Sequence, residues 1–213
     1  EKVKAFAGTY EPENYLLNAE NPMAVGPYAI TNYYMESHRQ QAQAMANARK
    51  VILEIGKEFG EMSGREYGFF EEYHMEDAEY AIVAMGSACG AAKDAVDELR
   101  GQGKKAGMIK VRVFRPFPAE ELAAALAKVK AVAIMDRAES FSGNGGPLAS
   151  ELKAAMFDAD LHTKAYSLIY GLGGRDITVE MMKEIFTSIE TGETHESTME
   201  HDGIPYYYTG VRV

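Results

Sequence analysis

Apolar and polar positions along residues 79–118 spell out one complete structural unit. The apolar run Tyr80–Met85 predicts a buried strand, and the small-residue loop Gly86–Gly90 follows it. Ala92, Ala95, Val96 and Leu99 then recur on one face of a helix, which the turn Gly101-Gln102-Gly103 ends. A second apolar strand from Ala106 to Phe114 stops at Arg115-Pro116-Phe117-Pro118. Parallel neighbours need a helix to bring the chain back, so this order predicts a βαβ crossover.

The rest of the chain extends the same alternation. From about Tyr33 to Phe59, Met45, Ala48, Ile52, Ile55 and Phe59 form one apolar stripe at helical spacing, and Gly60 and Gly64 are expected to end the helix. Tyr67 to Glu72 reads as a short edge strand. Pro118 suits the first position of a helix whose first turn carries Glu120 and Glu121 and whose buried face is Leu122, Leu126 and Val129. Ala131–Met135 is uniformly apolar, as a strand covered on both faces should be. A loop, Asp136–Gly146, leads to Pro147 and a helix marked by Leu148, Leu152 and Ala155. Lys164–Tyr170 predicts another strand, ending in Gly171–Asp176. Thr178 is a good N-cap for a last helix with Val179, Met182, Phe186 and Ile189 facing inward. Four or five strands alternating with helices make an open, mostly parallel sheet flanked by helices, of α/β class; the pattern does not order the strands. Residues 1–30 lack periodicity and read as an extended arm or linker, and the polar tail after Thr191 ends in Ile204-Pro205-Tyr206-Tyr207-Tyr208.

Composition narrows the function. Apolar residues make up 46% and charged residues 25% of the 213, ordinary for a globular chain. No apolar run is long enough for a membrane span, and no signal peptide is evident. Net charge is −10, from 22 basic and 32 acidic residues, with no basic stripe for a phosphate backbone, so nucleic acid is a poor partner. The one cysteine, Cys89, makes no internal disulfide and cannot supply the thiolates of an iron–sulfur cluster, which suits a reducing cytoplasm. The chain opens on Glu1 rather than methionine and is expected to be processed or part of a longer polypeptide.

Three strand ends are rich in glycine or serine: Gly86–Gly90, Ser140–Gly146 and Gly171–Asp176. Ligands collect at such ends in open α/β sheets, and their backbone amides can hold an anion. None matches a dinucleotide fingerprint or a Walker loop, and close packing is the better-supported reading. Cys89 at a helix start can have a lowered pKa, but a small buried apolar side chain is the commoner fate. Gly86-Ser87 lacks the nucleophile elbow of serine hydrolases. Arg112, Arg115, Arg137 and Arg175 lie near strand ends and are expected as buried charges. Internal ion pairs are favoured for Asp136-Arg137 and Arg175-Asp176, with an arginine clamp on a phosphate or carboxylate as the alternative. Of the histidines His38, His74, His162, His195 and His201, the last two lie in a polar tail read as solvated rather than chelating. No acid–base couple stands out.

The segments Glu76–Tyr80, Met85-Gly-Ser-Ala-Cys-Gly90 and Val113-Phe-Arg-Pro-Phe-Pro118 resemble 2-oxoacid:ferredoxin oxidoreductases, the family of pyruvate:ferredoxin oxidoreductase. The likeness is to the C-terminal part of the α subunit. Asp136-Arg137 with the Ser140–Pro147 loop, and Tyr170–Thr178, extend it, so that it covers about Pro22 to Ile189 in order. It implies a transketolase C-terminal-like domain at 67–190, preceded by an arm (1–30) and a long helix with its connection (31–66), and followed by an extended tail (191–213). It further implies a complex that oxidatively decarboxylates a 2-oxoacid on thiamine diphosphate with Mg2+ and passes electrons through iron–sulfur clusters to ferredoxin, commonly with coenzyme A as acyl acceptor. The thiamine-binding and iron–sulfur parts would be its partners, on an upstream domain or other subunits. No catalytic, cofactor-binding or metal-ligating residue carries over to this sequence. The chain alone is therefore expected to bind none of these cofactors and to be inactive, serving as a structural and interface segment. Beside that pattern, Gly86–Gly90 reads as close packing. A stand-alone α/β module binding a nucleotide or organic anion is the alternative.

Overall fold

The computed structural model describes residues 1–11, 17–23, 26, 28, 30–193 and 203–212. It divides into two compact units, Glu1–Gly68 and Phe69–Val213.

The first unit is helical. A short helix, α1 (Lys2–Ala7), stands where the sequence showed no periodicity, and none of its residues is buried, so it has no apolar stripe to announce it. Helix α2 (Tyr34–Ser63) runs past Gly60, contrary to the expected stop, and ends at Gly64 in a left-handed conformation. Both interior glycines make room for the returning chain. A Cβ on Gly56 would lie 2.3 Å from the Tyr67 carbonyl oxygen, and one on Gly60 2.5 Å from that of Arg65. Phe59 meets Tyr67 edge-on, ring centroids 5.1 Å apart.

The second unit is a three-layer α/β domain. Its strands are β1 (Phe70–Tyr73), β2 (Tyr80–Met85), β3 (Ala106–Val111), β4 (Ala131–Asp136), β5 (Lys164–Ile169) and β6 (Tyr207–Tyr208), and its helices are α3 (Ala88–Gly101), α4 (Ala119–Leu126), α5 (Pro147–Asp158) and α6 (Val179–Thr191). The sheet order is β1-β3-β2-β4-β5-β6. Every neighbouring pair is parallel except β1 with β3, where Phe70 faces Val111 and Tyr73 faces Met108. The edge strand thus starts three residues later than the spacing suggested and ends one later, and β3 stops at Val111 rather than Phe114. Strand β6 falls in the segment read as an extended tail. Its two residues have no local signature, and it exists because β5 presents an open edge to it.

Alternate strand side chains build two cores. Ile82, Met108, Ala133 and Leu168 pack under α3 and α6 with Val96, Leu99, Ile185 and Phe186. Val83, Ile109, Val132 and Ile134 pack under α4 and α5 with Leu122, Leu126 and Leu152. Each large aliphatic buried this completely contributes about 1.5–3 kcal/mol. Thr178 caps α6 as expected, accepting the Met181 amide at 3.2 Å.

This topology has a functional consequence. After β2 the chain turns into α3 on one face, whereas after β4 it turns into α5 on the other. Since β2 and β4 are neighbours, the two loops part company between them. That is the topological switch point, where open α/β sheets form a ligand crevice.

Candidate functional site

A cleft of about 530 Å³ opens at the switch point. Met85, Gly86 and Ser87 come from the end of β2, Met135 to Ala138 from the end of β4, Pro147 and Leu148 from the start of α5, and Phe114 and Tyr170 complete the walls. A smaller lobe of about 130 Å³ shares Ser87, Arg137 and Tyr170 with it and adds Arg175, Asp176 and Ile177. The larger volume is typical of small-ligand sites. Two of the three sequence-predicted loops, Gly86–Gly90 and Gly171–Asp176, therefore reach the cleft, whereas Ser140–Gly146 lines neither lobe and the flanking residues Asp136–Ala138 and Pro147 stand there instead.

They differ in what their glycines do. A Cβ on Gly86 or Gly90 would meet nothing within 4 Å, so the close-packing reading does not hold for that loop; Gly86 serves a left-handed turn at φ 73°. In the loop after β4 close packing does hold. A Cβ on Gly146 would sit 2.2 Å from the Cβ and Cγ of Asp136, and one on Gly145 would lie 3.1 Å from the Tyr206 ring. The hydroxyls of Ser140 and Ser142 both turn inward to the Gly145 carbonyl, which spends those two donors on the loop's own shape.

Asp136 is the one buried charge at the site, 5% exposed. Its two carboxylate oxygens accept the Leu148 and Ala149 amides, each at 2.9 Å, and so cap α5. Burial pushes its pKa up, against the pull of those two amides. The arginines correct the sequence expectation. Arg115, Arg137 and Arg175 are exposed and Arg112 is half-buried. Arg137 and Arg175 also tie loops through carbonyls rather than through the neighbouring aspartates: Arg137 donates Nε to Gly171 at 3.0 Å, and Arg175 donates to Gly210. Gly171 lets this happen, since a Cβ there would lie 3.2 Å from Arg137 Nε. The charged heads stay in water because a backbone carbonyl satisfies one N–H while solvent serves the rest, avoiding the cost of a buried ion pair. Arg112 and Arg115 pair with Glu71 at 3.4 Å and Glu151 at 2.5 Å, away from the cleft.

Cys89 points away from chemistry. It is 1% exposed in the first turn of α3, and burial pushes its thiol up to about 11, with Lys110 and Lys93 opposing more weakly. Desolvation outweighs the helix start. His74 sits 3.5 Å from Asp97 on the surface, and His38 meets the Tyr34 ring at a tilt of 54° in the first unit. His195 and His201 lie outside the described residues. Among the described residues no group of three His, Cys, Asp or Glu could hold a metal ion. Tyr170 is the site residue that pattern reading missed, because a tyrosine ending an apolar run reads as the last residue of a strand. It is 6% exposed and borders both lobes. Burial raises its phenol pKa, with Cys89 adding and Arg137 opposing.

The family described as pyruvate:ferredoxin oxidoreductase core domain II matches residues 78–182, from the start of β2 into α6. Pyruvate synthase subunit PorA of Thermotoga maritima is 45% identical over 192 residues, 90% of this chain and 49% of its own length. Ketoisovalerate oxidoreductase subunit VorA of Pyrococcus horikoshii is 44% identical, covering 87% of this chain and 47% of its own. Pyruvate synthase subunit PorA of Pyrococcus abyssi is 36% identical over 100% of this chain and 52% of its own. The chain thus spans about half the length of the relatives it matches.

Proposed function

The chain belongs to the 2-oxoacid:ferredoxin oxidoreductase family, and from that premise we propose that it is a structural and interface segment of an enzyme that oxidatively decarboxylates a 2-oxoacid and reduces ferredoxin. The observation that carries this reading is the core domain II match at 78–182, which takes in the whole β2–β4–β5 framework and the cleft. Relatives named for pyruvate and for ketoisovalerate support a 2-oxoacid as the substrate class.

The chain's own residues do not fit the redox and thiamine groups of such an enzyme. A cluster takes several thiolates, and the sequence holds one cysteine, buried and protonated at neutral pH. A divalent ion on a diphosphate takes hard oxygen ligands, and no triad of ligating side chains is assembled among the described residues. In this proposal thiamine diphosphate, Mg2+, the iron–sulfur clusters and coenzyme A are held by the other domains or subunits, which are also the chain's partners. The place of action is the cytoplasm, in keeping with the lone reduced cysteine. No helix among the described residues is long and apolar enough to cross a membrane.

The test is reconstitution. Combining the chain with the remaining parts of the enzyme is expected to give 2-oxoacid-dependent ferredoxin reduction that is lost when the chain is left out. Full activity without it would falsify the proposal.

A further inference from the structure

The polar groups around the junction of the two lobes lack the partners that their equivalents elsewhere possess. Tyr170 is 6% exposed, and its hydroxyl, bordering both lobes, has no hydrogen-bond partner among the described residues. Ser87 begins α3 without capping it, and its hydroxyl too is uncommitted among the described residues. Arg137, at the wall of both lobes, is held by the Gly171 carbonyl through Nε alone, which leaves its terminal N–H groups without a partner among the described residues. Arg100, Arg112 and Arg115 each pair with a carboxylate, whereas Arg137 and Arg175 pair with none among the described residues, although the chain carries a net charge of −10. Asp176 borders the smaller lobe and forms no ion pair with either arginine.

The chemistry of the walls selects the ligand. One oriented guanidinium with two hydroxyl donors suits a carboxylate, which accepts bidentate from arginine. The larger lobe is mainly apolar. The α5 N-terminus, the natural phosphate cradle on this side, is already filled by Asp136. We propose that the cleft binds a small carboxylate with an apolar body, its head held by Arg137, Tyr170 and Ser87 and its body lying against Met85, Phe114 and Leu148. The inference stands apart from the assembly proposed above, because the cleft is formed within this chain whatever the enzyme around it.

Calorimetric titration of the full chain with phenylacetate, and with phenylacetamide as the uncharged isostere, tests it. Phenylacetate is expected to bind saturably at one site with a Kd in about the sub-millimolar range, and the amide at least about tenfold more weakly. Arg137→Met and Tyr170→Phe should each weaken phenylacetate about fivefold or more. Both should keep the parent circular dichroism: Tyr170→Phe removes only a hydroxyl without a partner among the described residues, and Arg137→Met gives up one bond to the Gly171 carbonyl, which lowers the Tm without unfolding the domain. Absence of saturable binding, equal affinity for the amide, or unchanged affinity in both folded variants would overturn the proposal. None of those results would touch the ferredoxin assay.

Discussion

Cys89 shows how one residue's surroundings decide its chemistry. At the start of α3 it has the helix position of an activated thiol, yet it belongs to the core that also holds Ile82, Ala92 and the α6 side chains, at 1% exposure. Its folded pKa is raised from 9.0 to about 11 by burial. A raised folded pKa means that the folded state holds the proton more tightly. The stabilisation is fully present below 9.0 and is lost as pH rises through about 11. Wild type should therefore lose up to about 3 kcal/mol relative to Cys89→Ala across that window, measured as the difference between their denaturant midpoints at each pH. An unchanged difference would refute the burial argument. At neutral pH the native thiol should stay unlabelled by a disulfide reagent until denaturant exposes it. The sequence could state both fates of Cys89; only the packing of α6 over α3 chose between them.

At the scale of elements, the alternation of apolar runs was enough to announce β2, α3, β3, β4, α5, β5 and α6, because each buries a continuous stripe or run. Strand β6 escaped because its reasons are nonlocal. Thr209 donates to the Ile169 carbonyl at 2.9 Å, and the phenols of Tyr206 and Tyr208 both donate to Glu139 in the loop after β4, Tyr206 at 2.6 Å. Glu139 thus joins two segments far apart in sequence and holds the sheet's last edge closed. Glu139→Ala should loosen that edge, with the Thr209 amide exchanging at least about tenfold faster while the Ile134 amide in β4 stays protected. Equal protection in both proteins would show that the backbone pairing alone suffices.

For the whole molecule, every buried apolar residue described lies at Phe69 or beyond, and α2 buries none of its 30 residues. The second unit has its own two-sided core, so a chain trimmed to residues 69–213 should unfold cooperatively with a Tm within about 5 °C of the parent. A broad, uncooperative melt would show that the first unit is needed for folding. The −10 charge and absence of a basic stripe set the character of the surface, and the exposed apolar side chains of α2, Met45, Val51, Leu53 and Ile55, stand in the unit without a core of its own.

Sequence alone determined the class of fold, because strand and helix periods are properties of neighbouring residues. It also carried the family resemblance, through the run from Glu76 to Pro118 and the Asp136–Pro147 loop, and the core domain II match covers the same stretch. What it could not contain was strand order. The switch between β2 and β4 arises only when the sheet is assembled, and the cleft exists because the ends of β2, β4 and β5 then lie side by side. For the same reason Asp136 and Arg137, neighbours in the chain, have separate partners. One side chain turns inward to the α5 amides and the other outward to Gly171, since successive residues at a strand's end point to opposite sides.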